Sequence, residues 1–181
     1  MAPKATIKVS MVGEQSFARG IDRLFGFFDK DMRPAFAIVR NWWYDTQKQN
    51  FNTKGGSIGE TWPALSDDYK DWKDENYPGR PLLVLTGKLK QAMTGSGSNQ
   101  YSKLSKERLK VGIRDVPYWA AHNFGYSKAN IPQRKFIGSS QKQNQKLTKR
   151  IQDFTNEVMA KEQKRYEQEL NQEKSEKRRL R

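Results

Sequence analysis

Apolar residues recur at two different spacings along this chain of 181 residues, and the change of spacing limits the choice of fold. In residues 14–50 and 140–158 they lie three or four positions apart, the period of a helix that buries one face. In residues 5–12 and 108–114 they alternate with polar residues, the period of a half-buried strand. We therefore predict an α+β fold with a long N-terminal helical segment, a small antiparallel β-sheet or hairpin, and a long C-terminal helix.

Two features mark the N-terminal helical segment. Pro34 must end this helix, kink it or start a new one, because proline lacks the backbone N–H and clashes with the preceding turn. Trp42 and Trp43 are neighbours in the chain, so we expect only one of them to face the core. The other is expected to reach a second surface or a partner subunit.

Two shorter helices are predicted in the middle of the chain. The first follows a glycine-rich loop and has Ser66 as its N-cap, with Tyr69 and Trp72 on its inner side. The second lies within 82–95, a stretch that a strand could also explain. The spacing of four that favours a helix there comes from Leu85, Leu89 and Met93.

The clean alternation in residues 108–114 predicts a strand with an apolar inner side and a basic outer side. Its inward residues are Leu109, Val111 and Ile113, and its outward residues are Arg108, Lys110 and Arg114. A preceding strand around 100–105 would complete a hairpin whose outer face is basic. We expect the flexible loop 95–100 to be the hairpin tip.

The pairing of Ser140 with Gln143 predicts a capping box at the start of the C-terminal segment. The apolar stripe that follows consists of Leu147, Ile151, Phe154 and Val158. We predict a single α+β domain over 1–158. Residues 159–181 are then a polar extension, either a projecting helix that needs a partner or a frayed tail.

The positive charge is concentrated in one stretch. The chain carries 34 Lys and Arg against 20 Asp and Glu, a net charge of +14. Residues 80–150 hold 15 basic and 2 acidic side chains and so account for +13 of it. Such a stretch attracts nucleic acid or an acidic protein surface, unless it is simply a solvated face. The basic surface that we predict comprises Lys88, Lys90, Lys103, Lys106, Arg108, Lys110 and Arg114.

Several kinds of chemistry find little support in the sequence. Without cysteine, thiolate catalysis and cysteine zinc sites are excluded, and the single His122 makes a histidine metal site or catalytic triad improbable. The carboxylates in 67–75 are interpreted as helix N-terminal acids and a solvated face rather than a metal site. We expect His122 to form hydrogen bonds in a buried or interfacial corner. We expect no enzymatic activity, no cofactor and no metal.

No signal peptide or membrane span is expected either, which predicts a soluble protein made in the cytoplasm.

Four short motifs then occur in a characteristic order. They are GETWPALS (59–66), LTGKL (85–89), VG followed by YWAAHNFG (111–125), and IPQRKFIG (131–138). In this order they resemble the virion-morphogenesis, or tail-completion, family of long-tailed bacteriophages. Trp119 departs from the family pattern, which has a small residue there. The positions that carry the motifs are Trp62, Leu65, Tyr118, His122, Phe124, Gly125, Pro132, Arg134 and Phe136.

The resemblance implies a structural subunit of the virion, made in the bacterial host. Such a subunit completes the tail or joins it to the head at the neck, as a homo-oligomeric ring around the DNA channel. Its partners would be its own copies and the other neck, tail-terminator, tail-tube and connector proteins, with non-specific contact to genomic DNA. The basic stretch also leaves open a free-standing nucleic-acid-binding protein as the alternative.

Overall fold

The computed structural model describes residues 31–179, so the strand predicted at 5–12 and the helix predicted from 14 to 30 lie outside the described residues. Five α-helices and one two-stranded antiparallel sheet make up the described part, which confirms the α+β class. The helices are α1 (Arg33–Asn52), α2 (Asp67–Asn76), α3 (Lys88–Thr94), α4 (Trp119–Phe124) and α5 (Gln141–Arg179). The strands are β1 (Gln100–Leu104) and β2 (Leu109–Ile113), and two short 3₁₀ turns cover Gly56–Ile58 and Ser127–Ala129.

Helix α1 is the central element of the core. Pro34 lies in its first turn, where a missing N–H costs nothing, so it starts this helix. Trp42 and Trp43 are both buried, and the prediction that one of them reaches another surface is wrong. The reason is that α1 contacts α3, α5 and both strands, so neighbouring positions on the helix are each covered. Trp42 Nε1 also donates a 2.9 Å hydrogen bond to the Gln143 carbonyl at the start of α5.

Helix α3 is shorter than the 82–95 segment that we predicted to be helical. It begins only at Lys88, because the preceding residues form turns in which Leu83 and Gly87 have positive φ. Leu85 therefore lies before the helix, whereas Leu89 and Met93 lie within it and are buried as expected.

The predicted hairpin is confirmed, with Leu104 paired to Leu109 at its closed end and Gln100 paired to Ile113 at its open end. Its inner face packs against α1 and α3. The tip is formed by residues 105–108, so the prediction of a tip at 95–100 is wrong. That glycine-rich segment instead ends α3 at Gly95 and leads into β1.

Helix α5 begins with the predicted capping box. The Ser140 amide donates to Gln143 Oε1 at 2.8 Å, and the Gln143 amide donates to the Ser140 hydroxyl at 3.4 Å. Leu147 and Ile151 are buried against the core. The helix continues to Arg179, so its 39 residues extend about 58 Å. Every side chain described after Val158 is exposed, as a projecting helix requires.

Candidate assembly interface

The motif residues first build an aromatic cluster inside the subunit. The Phe51 ring lies 5.6 Å from the Trp62 ring, edge to face, and 5.6 Å from the Phe136 ring. All three side chains are buried. Trp62 Nε1 donates a 2.7 Å hydrogen bond to the Lys135 carbonyl. Trp62 and Phe136 thus hold two distant loops together and are not available to a partner.

The segment 134–138 belongs to neither strand of the described sheet, and amide side chains satisfy part of its backbone. Asn123 Oδ1 accepts hydrogen bonds from the backbone N–H groups of Phe136 and Ile137, at 3.2 and 3.0 Å. Asn50 Nδ2 donates to the Phe136 and Gly138 carbonyls, at 3.1 and 3.0 Å. Because buried backbone groups are costly when unpaired, these two amides replace a β-ladder.

Arg134 fixes the loop that leads into α2. It is buried, and its Nε and Nη2 donate to the Pro63 and Ala64 carbonyls at 2.8 and 2.6 Å. Burial lowers the pKa of the Arg134 guanidinium. The structure therefore gives Arg134 a positioning role in the subunit. Of the neighbouring motif residues, Leu65 is half-buried in this loop, whereas Pro132 is exposed.

The motif reaches the surface at residues 122–125 (HNFG), at the end of α4, which we call the HNFG corner. Phe124 is 65% exposed, and its ring lies edge to face with Trp119, 6.0 Å away. Trp119 is itself half-buried against the core, which accommodates its departure from the family pattern. Tyr118 is 42% exposed and its ring contacts the His122 ring.

His122 is half-buried in this corner, the kind of position that we predicted for it. Its ring nitrogen Nδ1 is buried and has no hydrogen-bond partner among residues 31–179, so the expected hydrogen bond is absent at that atom. Burial, together with the nearby Arg134 charge, lowers the pKa of His122. A neutral imidazole at pH 7 follows.

Gly125 ends α4 in a conformation that glycine favours, with φ of 79°. A Cβ atom at this position would lie 3.2 Å from the Gln133 backbone nitrogen. The glycine therefore allows the chain after α4 to approach the 131–138 segment closely, which explains its place in the motif.

The outer face of the hairpin is basic, as predicted. Lys103 and Lys110 are directly opposite each other across the two strands, and both are exposed. The Arg114 guanidinium lies 5.4 Å from the centre of the Tyr101 ring, a cation–π contact on the same face. Lys106 and Arg108 are exposed at the tip. The hairpin thus gathers five of the seven predicted basic residues.

The remaining two predicted basic residues lie elsewhere. Lys88 and Lys90 belong to the neighbouring helix α3, and Lys90 is half-buried. The predicted basic surface is therefore chiefly a property of the hairpin.

Helix α2 presents an exposed aromatic and acidic face. Tyr69 and Trp72 are 43% and 44% exposed and stack on each other at 5.4 Å, so the prediction that they face inward is wrong. Lys73 occupies the inner side instead, and its Nζ donates a 2.7 Å hydrogen bond to the Pro81 carbonyl. Burial lowers the pKa of Lys73. Lys73 is thus the α2 side chain that is buried against the body, and the two rings lie on the more exposed side of the helix.

A model of the phage virion morphogenesis family matches residues 15–156. The chain belongs to that family. The match spans all four motifs and confirms the resemblance that their order indicated. The protein therefore has a role in phage virion morphogenesis.

Searches of curated proteins and of solved structures give no match to this family member. Among the described residues 31–179, no helix is both long and apolar enough to cross a membrane. In the same part of the chain, no group of three or more histidine and acidic side chains could hold a metal ion.

Sequence reasoning missed the amide side chains that organise the interior of this family member. Gln47, Asn50 and Asn123 are buried, and Gln47 Nε2 also donates to the Gly138 carbonyl at 3.1 Å. Their only signal in the sequence is a polar residue at a core position. That signal cannot be distinguished from a solvated residue before the neighbouring segments are known.

Proposed function

We propose that this protein is a structural, non-enzymatic virion subunit that completes the tail or joins head and tail at the phage neck. The observation that carries the proposal is the family match over residues 15–156. In the proposed assembly, several copies form a ring around the DNA channel. Its partners there are further copies and the neighbouring neck, tail-terminator, tail-tube and connector proteins.

The distribution of exposed side chains supports an assembly role. A ring needs two different patches on each subunit, because each copy contacts its two neighbours through different surfaces. Candidates are the HNFG corner with Phe124, the aromatic face of α2, and the exposed end of α5 after Val158. Large exposed aromatic side chains of this kind are enriched at protein interfaces.

The positive charge on the outer face of the hairpin favours a negatively charged binding partner there. Two lysines directly opposite each other on a strand pair repel, and that arrangement destabilises the isolated subunit. A polyanion against this face would remove the repulsion. In a neck ring the candidates are genomic DNA passing through the channel and an acidic protein surface.

The test is a phage in which the gene for this chain is interrupted by a nonsense codon. We expect a non-suppressing host to yield filled heads and separate tails, and a plasmid copy to restore joined particles. Purified wild-type virions should contain the chain at the neck when imaged by electron microscopy. Joined particles without the chain, or its absence from wild-type virions, would contradict the proposal.

The lysine pair on the hairpin also favours a second function, that of a free-standing nucleic-acid-binding protein. This function predicts binding to duplex or single-stranded DNA with an affinity that falls steeply as salt rises. A gel-shift titration from about 50 mM salt upward measures it. Absence of any shift at the lowest salt excludes this function and leaves the structural role intact.

A further inference from the structure

Helix α2 is poorly supported by its own subunit. Among the described residues, its only buried side chain is Lys73. A helix of ten residues is marginal in water without tertiary packing. Its outer side carries Asp68, Asp71 and Glu75 at helical spacing, next to the stacked rings of Tyr69 and Trp72. Such a surface calls for a partner that is basic and that can cover aromatic rings.

The hairpin of the same chain has the complementary chemistry. Residues 100–114 contain five basic side chains and one acidic side chain, whereas residues 67–76 contain five acidic and two basic ones. Lys103 and Lys110 form no salt bridge within residues 31–179, and neither do Asp68, Asp71 and Glu75. Each surface therefore has unpaired charge of the sign that the other needs.

The two surfaces also match in length. The ten residues of α2 extend about 15 Å at the rise of an α-helix. The five residues of β1 extend about 17 Å. A helix lying along the hairpin would place its acidic stripe over the opposed lysines and its aromatic rings beside Arg114 and Tyr101.

We propose that the aromatic and acidic face of α2 docks on the basic outer face of the hairpin in a second copy of the chain. The inference rests on the proposed ring and names one of its subunit contacts. Because the two surfaces differ, each copy uses α2 toward one neighbour and the hairpin toward the other, as a closed ring requires. A second copy fits better than DNA, since one contact covers both faces and the net-acidic α2 would be repelled by phosphates.

Charge reversal tests this pairing in the full chain. Lys103→Glu with Lys110→Glu makes the opposed pair acidic, like the stripe on α2, and leaves the hairpin with no net charge. Asp68→Lys with Asp71→Lys makes two positions of that stripe basic, like the hairpin, and gives α2 a net positive charge. We expect wild type to sediment as an oligomer and each double variant alone as a monomer. An equimolar mixture of the two variants should regain the oligomer, because each supplies the charge that the other lacks. Circular dichroism confirms that each variant is folded.

A matched control changes the same charge elsewhere. Lys142→Glu with Lys146→Glu alters two exposed residues of α5 and should sediment as wild type does. Oligomers in either test variant alone, or two monomeric variants that stay monomeric when mixed, would overturn the docking. So would a hairpin variant that assembles normally but loses DNA binding, since the hairpin would then face nucleic acid.

Cross-linking provides a second measurement that does not need a stable oligomer. The chain has no native cysteine, so engineered thiols react without background. Asp71→Cys and Lys110→Cys chains carrying tags of different size should form a mixed disulfide dimer on oxidation. Asp71→Cys with Lys142→Cys should give at least tenfold less. Equal yields would refute the contact, whereas the virion role would stand or fall with the nonsense phage.

Discussion

Lys103 and Lys110 face each other across the two-stranded sheet, with no acidic side chain bridging them in the described part of the chain. Like charges directly opposite on an antiparallel pair destabilise it. The hairpin therefore carries a local electrostatic cost within the subunit. That cost is understandable if this face meets a negatively charged surface in the assembly.

Lys110→Glu should separate stability from assembly. It replaces repulsion across the strands by attraction to Lys103, which should stabilise the isolated subunit by about 0.2–1 kcal/mol. The same change should weaken oligomer formation. Urea unfolding and sedimentation velocity measure the two effects, and a loss of both stability and assembly would contradict the interpretation.

Trp62→Ala should destabilise the subunit by about 3–5 kcal/mol, because it removes a buried aromatic ring from the Phe51 and Phe136 cluster. It also removes the hydrogen bond to the Lys135 carbonyl. The matched comparison is Trp72→Ala in the isolated subunit. Trp72 is 44% exposed, so the loss of its ring should cost no more than its contacts with the Tyr69 and Tyr77 rings, about 1.5 kcal/mol. Equal costs in denaturant unfolding would show that the two tryptophans are not divided between core and surface.

Asn123→Ala should destabilise the fold without creating a large cavity. Its Oδ1 accepts two backbone hydrogen bonds from the buried 136–137 segment. Leaving a buried donor unpaired costs about 1–3 kcal/mol. The control Asn156→Ala, at an exposed position of α5, should be nearly neutral in a thermal melt. A neutral Asn123→Ala would mean that another group pairs with this backbone.

The free energy of unfolding should fall on mild acidification, and His122 should be the cause. Burial lowers its pKa in the folded state, so the unfolded chain takes up a proton more readily. Stability then rises with pH wherever the unfolded state binds more protons, and it should decline as the pH falls below about 6.5, the ordinary pKa of histidine.

His122→Gln should remove that decline. Unfolding free energies of wild type and variant, measured from neutral to mildly acidic pH, make the comparison. The Arg33 guanidinium beside Asp31 lowers the pKa of that carboxyl to about 2, so its contribution is lost only at more acidic pH. Parallel pH profiles for wild type and His122→Gln would exclude the assignment to His122.

Features set by local periodicity were predictable from the chain. The β2 alternation, the Ser140 and Gln143 capping box, and the Leu147 stripe all appear where the spacing indicated. The motif order also identified the family, which the match over 15–156 confirms. Fold class and family therefore depend on signals that short sequence segments carry by themselves.

The errors concern which neighbour covers which face. Trp43 is buried because elements pack on more than one side of α1, and on α2 the inner position is occupied by Lys73 whereas Tyr69 is exposed. The 95–100 loop resembled a hairpin tip by composition, but the register of the strands puts the tip at 105–108.

The sequence alone determined the kinds of element, the position of the positive charge and the family. Only the tertiary structure decided that Trp62, Arg134 and Phe136 are interior residues, whereas Phe124 and the α2 aromatics are available to partners. The physical reason is that periodicity is a local property of the chain. Burial instead depends on contacts between residues far apart in sequence, such as Trp62 with the Lys135 carbonyl.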